Sequence, residues 1–146
     1  MYELKYKGNR AVGAFFGQKL ASLMVESKIH FDGIIGVPLH SKRKRKIGFN
    51  QVDLIGEGAA KALNIPYYGN YLQRVKHTPK LSQASRDRTA ILQDAFRINP
   101  MIKTTKGHYL LLDDILTTGA TLKACSKLMI KIDGLCLSIA TIVYRN

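Results

Sequence analysis

Three stretches of the chain are apolar without alternating: Gly33-Ile-Ile-Gly-Val-Pro38, His108-Tyr-Leu-Leu-Leu112 and Leu135-Cys-Leu-Ser-Ile-Ala-Thr-Ile-Val-Tyr144. A strand buried on both faces reads this way, whereas a strand with one wet face alternates. Segments of helical period lie between and beside them. From Asn9 to Ser27, Val12, Phe15, Phe16, Leu20, Leu23 and Met24 recur at three- and four-residue spacing, which predicts an amphipathic helix capped by Asn9. A second helix is predicted over Gln51 to Leu63, closed off by Pro66. A third runs over Thr118 to Ile130, with Leu122, Cys125, Leu128 and Met129 on one side and Gly134 turning the chain into the last strand. Buried strands alternating with helices predict an α/β fold with a mostly parallel central sheet and helices on both faces. Tyr67 to Val75 reads as a short strand or strand pair and Phe96-Arg-Ile98 as another, before the turn at Asn99-Pro100. The polar stretch from His77 to Thr89, with Pro79, reads as a long loop.

At 146 residues, 46% apolar and 23% charged, the chain is sized for one domain with one core and needs no staples. Its longest uncharged apolar stretch, Leu135 to Tyr144, is well short of the roughly 20 residues that cross a bilayer. The opening MYELKYKGNR has no apolar core of the kind a secretory signal requires. Cys125 and Cys136 frame no disulfide scaffold, no CxxC occurs, and His30, His40, His77 and His108 are scattered singly. Two buried thiols in a reducing, cytoplasmic compartment are the expectation.

Charge is less ordinary. Lys and Arg number 23 against 10 Asp and Glu, a formal excess of +13. Such an excess draws polyanions, whether nucleic acid, an acidic partner or phosphorylated small molecules. Five bases run consecutively, Lys42, Arg43, Lys44, Arg45 and Lys46, and a looser group spans Arg74, Lys76, Lys80, Arg86 and Arg88.

In an open α/β sheet, ligands sit beyond the carboxyl ends of the strands. Two loops expected at that edge are chemically unusual, Pro38 to Gly48 and Asp113 to Thr121. In Leu110-Leu-Leu-Asp-Asp-Ile-Leu-Thr-Thr-Gly-Ala-Thr121 an apolar strand stopped by two carboxylates delivers both to its end. Because successive side chains point to opposite faces, at least one of Asp113 and Asp114 must face the crevice. Carboxylates there accept from vicinal ribose hydroxyls or hold water on magnesium. Thr117, Thr118 and Thr121 bring hydroxyls, Gly119 permits close backbone approach, and the helix beyond turns its free N–H groups the same way. Acids for a sugar followed by hydroxyls and amides for a phosphate describe a sugar-phosphate cradle. An ordinary helix cap needs only one such residue. Rival motifs fit worse: no GxxxxGK[ST] occurs, Gly56-Glu-Gly58 falls inside a predicted helix, and Ile115 stands where a phosphatase-type nucleophile would need a second acid.

The stretch from Leu110 to Thr121 resembles the phosphoribosyl-diphosphate (PRPP) motif of type I phosphoribosyltransferases. Val37-Pro38-Leu39-His40, the basic run, Gly48-Phe-Asn-Gln51, Arg74, Thr78, Leu81-Ser82, Arg86, Arg88 and Ala95-Phe96 together resemble the competence protein F family, from about Tyr6 to Arg145. The chain departs from that pattern at Ile47, where arginine is usual, and at Thr89, where asparagine is common. It also lacks the family's four-cysteine N-terminal zinc ribbon, leaving a single phosphoribosyltransferase-like domain over residues 1–146. The resemblance implies that Asp113 and Asp114 bind ribose hydroxyls directly or through magnesium and water, and that Thr117, Thr118, Gly119, Ala120 and Thr121 wrap the 5′-phosphate. It implies that Val37, Pro38, Leu39, His40 and Arg43 receive the pyrophosphate. It also sets the stretch from His77 to Arg88 in the place of a mobile catalytic loop carrying Lys80, Arg86 and Arg88. The reaction implied is transfer of phosphoribosyl to a nitrogen acceptor with release of pyrophosphate, dependent on Mg2+ and linked to DNA uptake. Glutamine hydrolysis is not expected, since no cysteine nucleophile lies near the N-terminus. The alternative is a non-catalytic module on the same fold, holding single-stranded DNA or a DNA-processing partner through Lys42 to Lys46 with Phe49 nearby. A homodimer is the assembly allowed for either.

Overall fold

The computed structural model describes residues 10–39, 48–75, 95–103 and 106–145. In chain order these form α1 (Arg10–Glu26), β1 (Gly33–Gly36), α2 (Gln51–Leu63), β2 (Tyr67–Tyr68), β3 (Leu72–Arg74), β4 (Phe96–Ile98), β5 (Gly107–Leu116), α3 (Ala120–Met129) and β6 (Leu135–Tyr144). Four strands make a parallel sheet in the order β2-β1-β5-β6, while β3 and β4 pair antiparallel as a separate ribbon. The α/β class and the parallel sheet are as the sequence predicts. The Tyr67 to Val75 segment divides between the two sheets, because β2 pairs with β1 whereas β3 pairs with β4.

The strand sequences are apolar throughout because both faces of the sheet are covered. Ile34, Leu110 and Leu112 pack with Leu20, Met24, Val52, Ile55 and Ala59 under α1 and α2. Their neighbours Ile35, Tyr109 and Leu111 point the other way, to Leu122, Cys125 and Met129 of α3 and to Leu72 and Phe96 of the ribbon. Helix α2 keeps its expected bounds: Asn50 caps it by accepting the Val52 N–H, and Asn64 ends it in the left-handed region at φ 54°.

Helix α1 corrects one expectation. Its buried positions are Gly13, Gly17, Leu20, Ala21 and Met24, while Phe15 and Leu23 are exposed. The buried stripe is turned because α1 crosses α2 through glycine: a Cβ on Gly17 would sit 2.8 Å from the Ala59 nitrogen and 2.9 Å from the Gly58 Cα. The close crossing, and not the largest side chains, selects the inner face.

Two further expectations change. Strand β5 does not stop at Leu112 but continues to Leu116, because β6 runs alongside it as far as Tyr144. Helix α3 starts at Ala120, two residues later than the pattern suggests. Cys125 is buried as expected, whereas Cys136 is exposed, since β6 lies at the edge of the sheet. The proposed cap Asn9 and the stretch from His77 to Thr89 lie outside the described residues. No helix among the described residues is long and apolar enough to cross a membrane.

Candidate functional site

Strand β1 ends at Gly36, opposite Leu112 of β5, while β5 itself runs on beside β6. The Asp113 and Asp114 pair therefore projects past the end of one neighbour while remaining supported by the other. Asp113 continues the row of Tyr109 and Leu111 toward the α3 face, where its charge reaches Cys125, and its carboxyl group meets that of Asp114. The Asp113 carboxylate accepts the Asp114 main-chain N–H at 2.8 Å.

Asp113 is the perturbed acid. Burial raises its pKa to about 7, and the Asp114 charge adds to the rise; the Asp114 N–H and the Arg74 charge pull the other way without cancelling it. Burial and the Asp113 charge likewise push the Cys125 thiol in α3 up to about 12, so that sulfur is an inert core group.

Beyond β5 the chain bends at Thr117 and Thr118 and enters α3 through Gly119, whose φ of 70° is left-handed. A glycine at this cap supplies no side-chain acceptor to the first turn of α3. Its first amides keep their donors and the positive end of the helix dipole directed outward. The Ala120 N–H makes only a long, 3.5 Å contact with the Thr118 hydroxyl.

These parts meet in one small pocket of about 30 Å³, lined by Asp113, Ile115, Leu116, Thr117, Thr118, Gly119, Ala120, Thr121 and Leu122. An acid stands at one side and hydroxyls with helix-end amides at the other. Asp114 is the one residue of the expected cradle that does not line it. The two adjacent carboxylates can hold a hard divalent cation only with ligand oxygens and water completing its shell, since no cluster of three or more His, Cys, Asp or Glu occurs among the described residues.

Of the residues expected to receive pyrophosphate, Val37 is buried and Pro38 and Leu39 are half-buried directly after β1, on the same sheet edge as Asp113. His40 and the basic run Lys42, Arg43, Lys44, Arg45 and Lys46 lie outside the described residues, as do Lys80, Arg86 and Arg88. The sequence reading named Asn50 only within Gly48-Phe-Asn-Gln51 and gave it no role. It is 4% exposed, and its side-chain amide donates to the Val37 carbonyl at 3.2 Å, tying the start of α2 to the end of β1. The asparagine before a helical run was a readable cap signal; its bond to Val37 was not.

No family model matches the chain. It is 36% identical over 105 residues to competence protein F of Haemophilus influenzae, covering 69% of this chain and 45% of that protein. It is 33% identical over 101 residues to the DNA utilization protein YhgH of Salmonella typhi, covering 68% and 44%. The match thus spans a little under half the length of these relatives. In fold the chain is similar to adenine phosphoribosyltransferase from Thermoanaerobacter pseudethanolicus, with a TM-score of 0.60 at 14% identity over 96% of this chain and 84% of that one. It is also similar to the Saccharomyces cerevisiae adenine phosphoribosyltransferase, with a TM-score of 0.57 at 18% identity over 88% and 68%. A parallel sheet bearing an acid pair and a glycine-led helix at one edge, together with these relatives, places the chain with competence protein F and the YhgH proteins, on the fold of the type I phosphoribosyltransferases.

Proposed function

We propose that the pocket binds PRPP with Mg2+ and that the protein transfers its phosphoribosyl group to a nitrogen acceptor in the service of DNA uptake. The observation that carries this reading is the meeting of Asp113 with the glycine-led start of α3 in one pocket. The amides and hydroxyls from Thr117 to Thr121 suit a 5′-phosphate, and the acids suit the ribose hydroxyls. The yeast enzyme of similar fold was crystallised with an imino-altritol 1,6-bisphosphate and adenine, a phosphorylated sugar analogue beside a nitrogenous base. Magnesium, held by Asp113 and Asp114 together with ligand oxygens, would supply charge neutralisation at the leaving group. In the transfer the C1–oxygen bond to pyrophosphate breaks, a C1–nitrogen bond forms, and the acceptor nitrogen gives up a proton. Lys80, Arg86 and Arg88 are the bases this reading assigns to the closed site.

The test is a thermal-shift titration. PRPP with magnesium at a hundredfold excess over its Kd should stabilise the protein by about 2.7 kcal/mol. The paired substitutions Asp113→Asn and Asp114→Asn should abolish that ligand-dependent rise. No rise with the unsubstituted protein would overturn the reading. Binding without pyrophosphate release in the presence of any amine or base would leave only a binding role.

A second reading, single-stranded DNA binding, is favoured by the +13 charge and by relatives named for competence and DNA utilization. On that reading affinity falls steeply with salt, collapses when Lys42 to Lys46 are neutralised, and survives the aspartate changes.

A further inference from the structure

The buried stripe of α1 is met by α2 and by the sheet, and a surface helix ordinarily turns charged side chains to water on its other face. On α1 the outer positions Phe15, Gln18, Ser22 and Val25 instead follow one another at steps of three, four and three residues. That spacing keeps side chains in one seam along a helix. All four are exposed, Phe15 by 56% and Val25 by 66%, and none is charged. The Ser22 hydroxyl donates to the Gln18 carbonyl at 3.1 Å, which leaves its oxygen able to accept. Phe15 is a held ring: Phe16 meets it edge to face at 5.6 Å, and the Lys19 ammonium lies 6.0 Å from its centroid. Leu23 is exposed too but falls out of this register. At its C-terminal end the seam opens into an apolar cleft of about 170 Å³, lined by Val25 and Ile29 together with Phe31, Leu63 and Ile65. Phe31 and Ile65 lead into β1 and β2, so the cleft stands at the sheet edge opposite Asp113.

The seam is its own complement. Phe15 and Val25 share a midpoint with Gln18 and Ser22, at the level of Leu20. When a second copy lies antiparallel about a two-fold axis at that level, Phe15 faces Val25 and Gln18 faces Ser22, apolar on apolar and amide on hydroxyl. Each Phe15 then stands at the mouth of the other copy's cleft. On a chain with a formal excess of +13, two copies meet most easily where like charge is sparse, and only Lys19 borders the middle of this seam. The same lack of cations leaves little there to draw an acidic partner. The helix from Phe15 to Val25 is about 15 Å long. With both clefts included, the pair covers roughly 1,000 Å² in total, the lower end for a specific interface. We propose that α1 joins two copies of the chain through this seam, each Phe15 closing the other's cleft, in a dimer that forms in the micromolar range.

Sedimentation velocity from about 1 to about 300 µM tests this. The weight-average mass should climb from that of one chain toward that of two, with a midpoint of ~10 µM. Phe15→Asp and Val25→Asp should each weaken the dimer about tenfold or more, and leave the far-UV circular dichroism unchanged because both side chains face water. A second measurement fixes the register. Gln18→Cys combined with Ser22→Cys, in a Cys136→Ser background, should give a disulfide-linked dimer when oxidised glutathione is added, whereas Leu23→Cys in the same background should not. A chain that stays monomeric to about 300 µM overturns the proposal. So does a dimer that both aspartate variants leave intact, such as one dissolved instead by Ile139→Lys on the open side of β6. Cross-linking through position 23 as readily as through positions 18 and 22 overturns it as well.

Discussion

Asp113 holds an acid where an acid is uncomfortable. Its folded pKa, about 7, lies above the ordinary carboxylate value near 3.8, so the folded state binds this proton more tightly than the unfolded chain does. The stability this residue contributes is therefore full below about pH 4 and is lost as pH rises toward 7. Replacement by asparagine removes the charge while keeping the oxygen that accepts the Asp114 N–H. Asp113→Asn should accordingly change the Tm little at pH 4 and raise it at pH 8, by an amount on the order of 2 kcal/mol or several degrees. Calorimetric melting at the two pH values decides it, and an equal shift at both would mean that Asp113 is not the perturbed group. A buried carboxylate that destabilises the empty fold is what a cation or a row of sugar hydroxyls can relieve, which ties the residue's cost to ligand binding.

At the scale of elements, the seam between α1 and α2 is the most exacting contact. Gly17→Ala would drive a methyl into the Gly58 and Ala59 backbone, which cannot give way as a flexible side chain does. The expected loss is about 1–3 kcal/mol in urea unfolding, with ligand affinity at the distant pocket unaltered. A neutral result would mean the helices re-cross at little cost. This seam also shows where sequence reading stops. Three- and four-residue spacing found α1 but assigned Phe15 and Leu23 inward, because apolar periodicity records how greasy a position is and not how near the partner helix lies. The bounds of α2 and β6 were legible, since Pro66 and Gly134 punctuate the chain locally. The end of β5 was not: two carboxylates read as a stop, yet hydrogen bonding to β6, an element later in the chain, carries the strand through them. The pocket's residues were readable because they are contiguous. The Tyr67 to Asp53 bond, spanning 14 positions, left no local trace.

Across the whole molecule the charge is unevenly spread. Helix α3 contains no acid, and Lys123, Lys127 and, just beyond it, Lys131 recur every four residues, all exposed. Four-residue spacing sets them along one side of the helix axis. Asp133 beside them is engaged with Lys106 at 3.6 Å. On the opposite face α1 and α2 mix Arg10, Lys19 and Lys61 with Glu26, Asp53 and Glu57. If polyanions are held, α3 is the described face suited to them. Changing Lys123, Lys127 and Lys131 together to glutamine should flatten the dependence of log affinity on log salt for single-stranded DNA by about 2, from roughly 0.7 per phosphate contact. An unchanged slope would exclude this face.

The last strand carries a different consequence. From Leu135 to Tyr144 it bears no charged side chain, shows Ile139 and Tyr144 to water, and is flanked by no further strand among the described residues. A long, neutral rim of this sort offers its main-chain donors and acceptors to whatever extended segment comes near, and natural proteins commonly blunt such rims with lysine, proline or a bulge. Here the nearest charge is Arg145, past the strand's end. The isolated domain should therefore be least tolerant of crowding along this border, growing stickier with concentration well before its core begins to loosen.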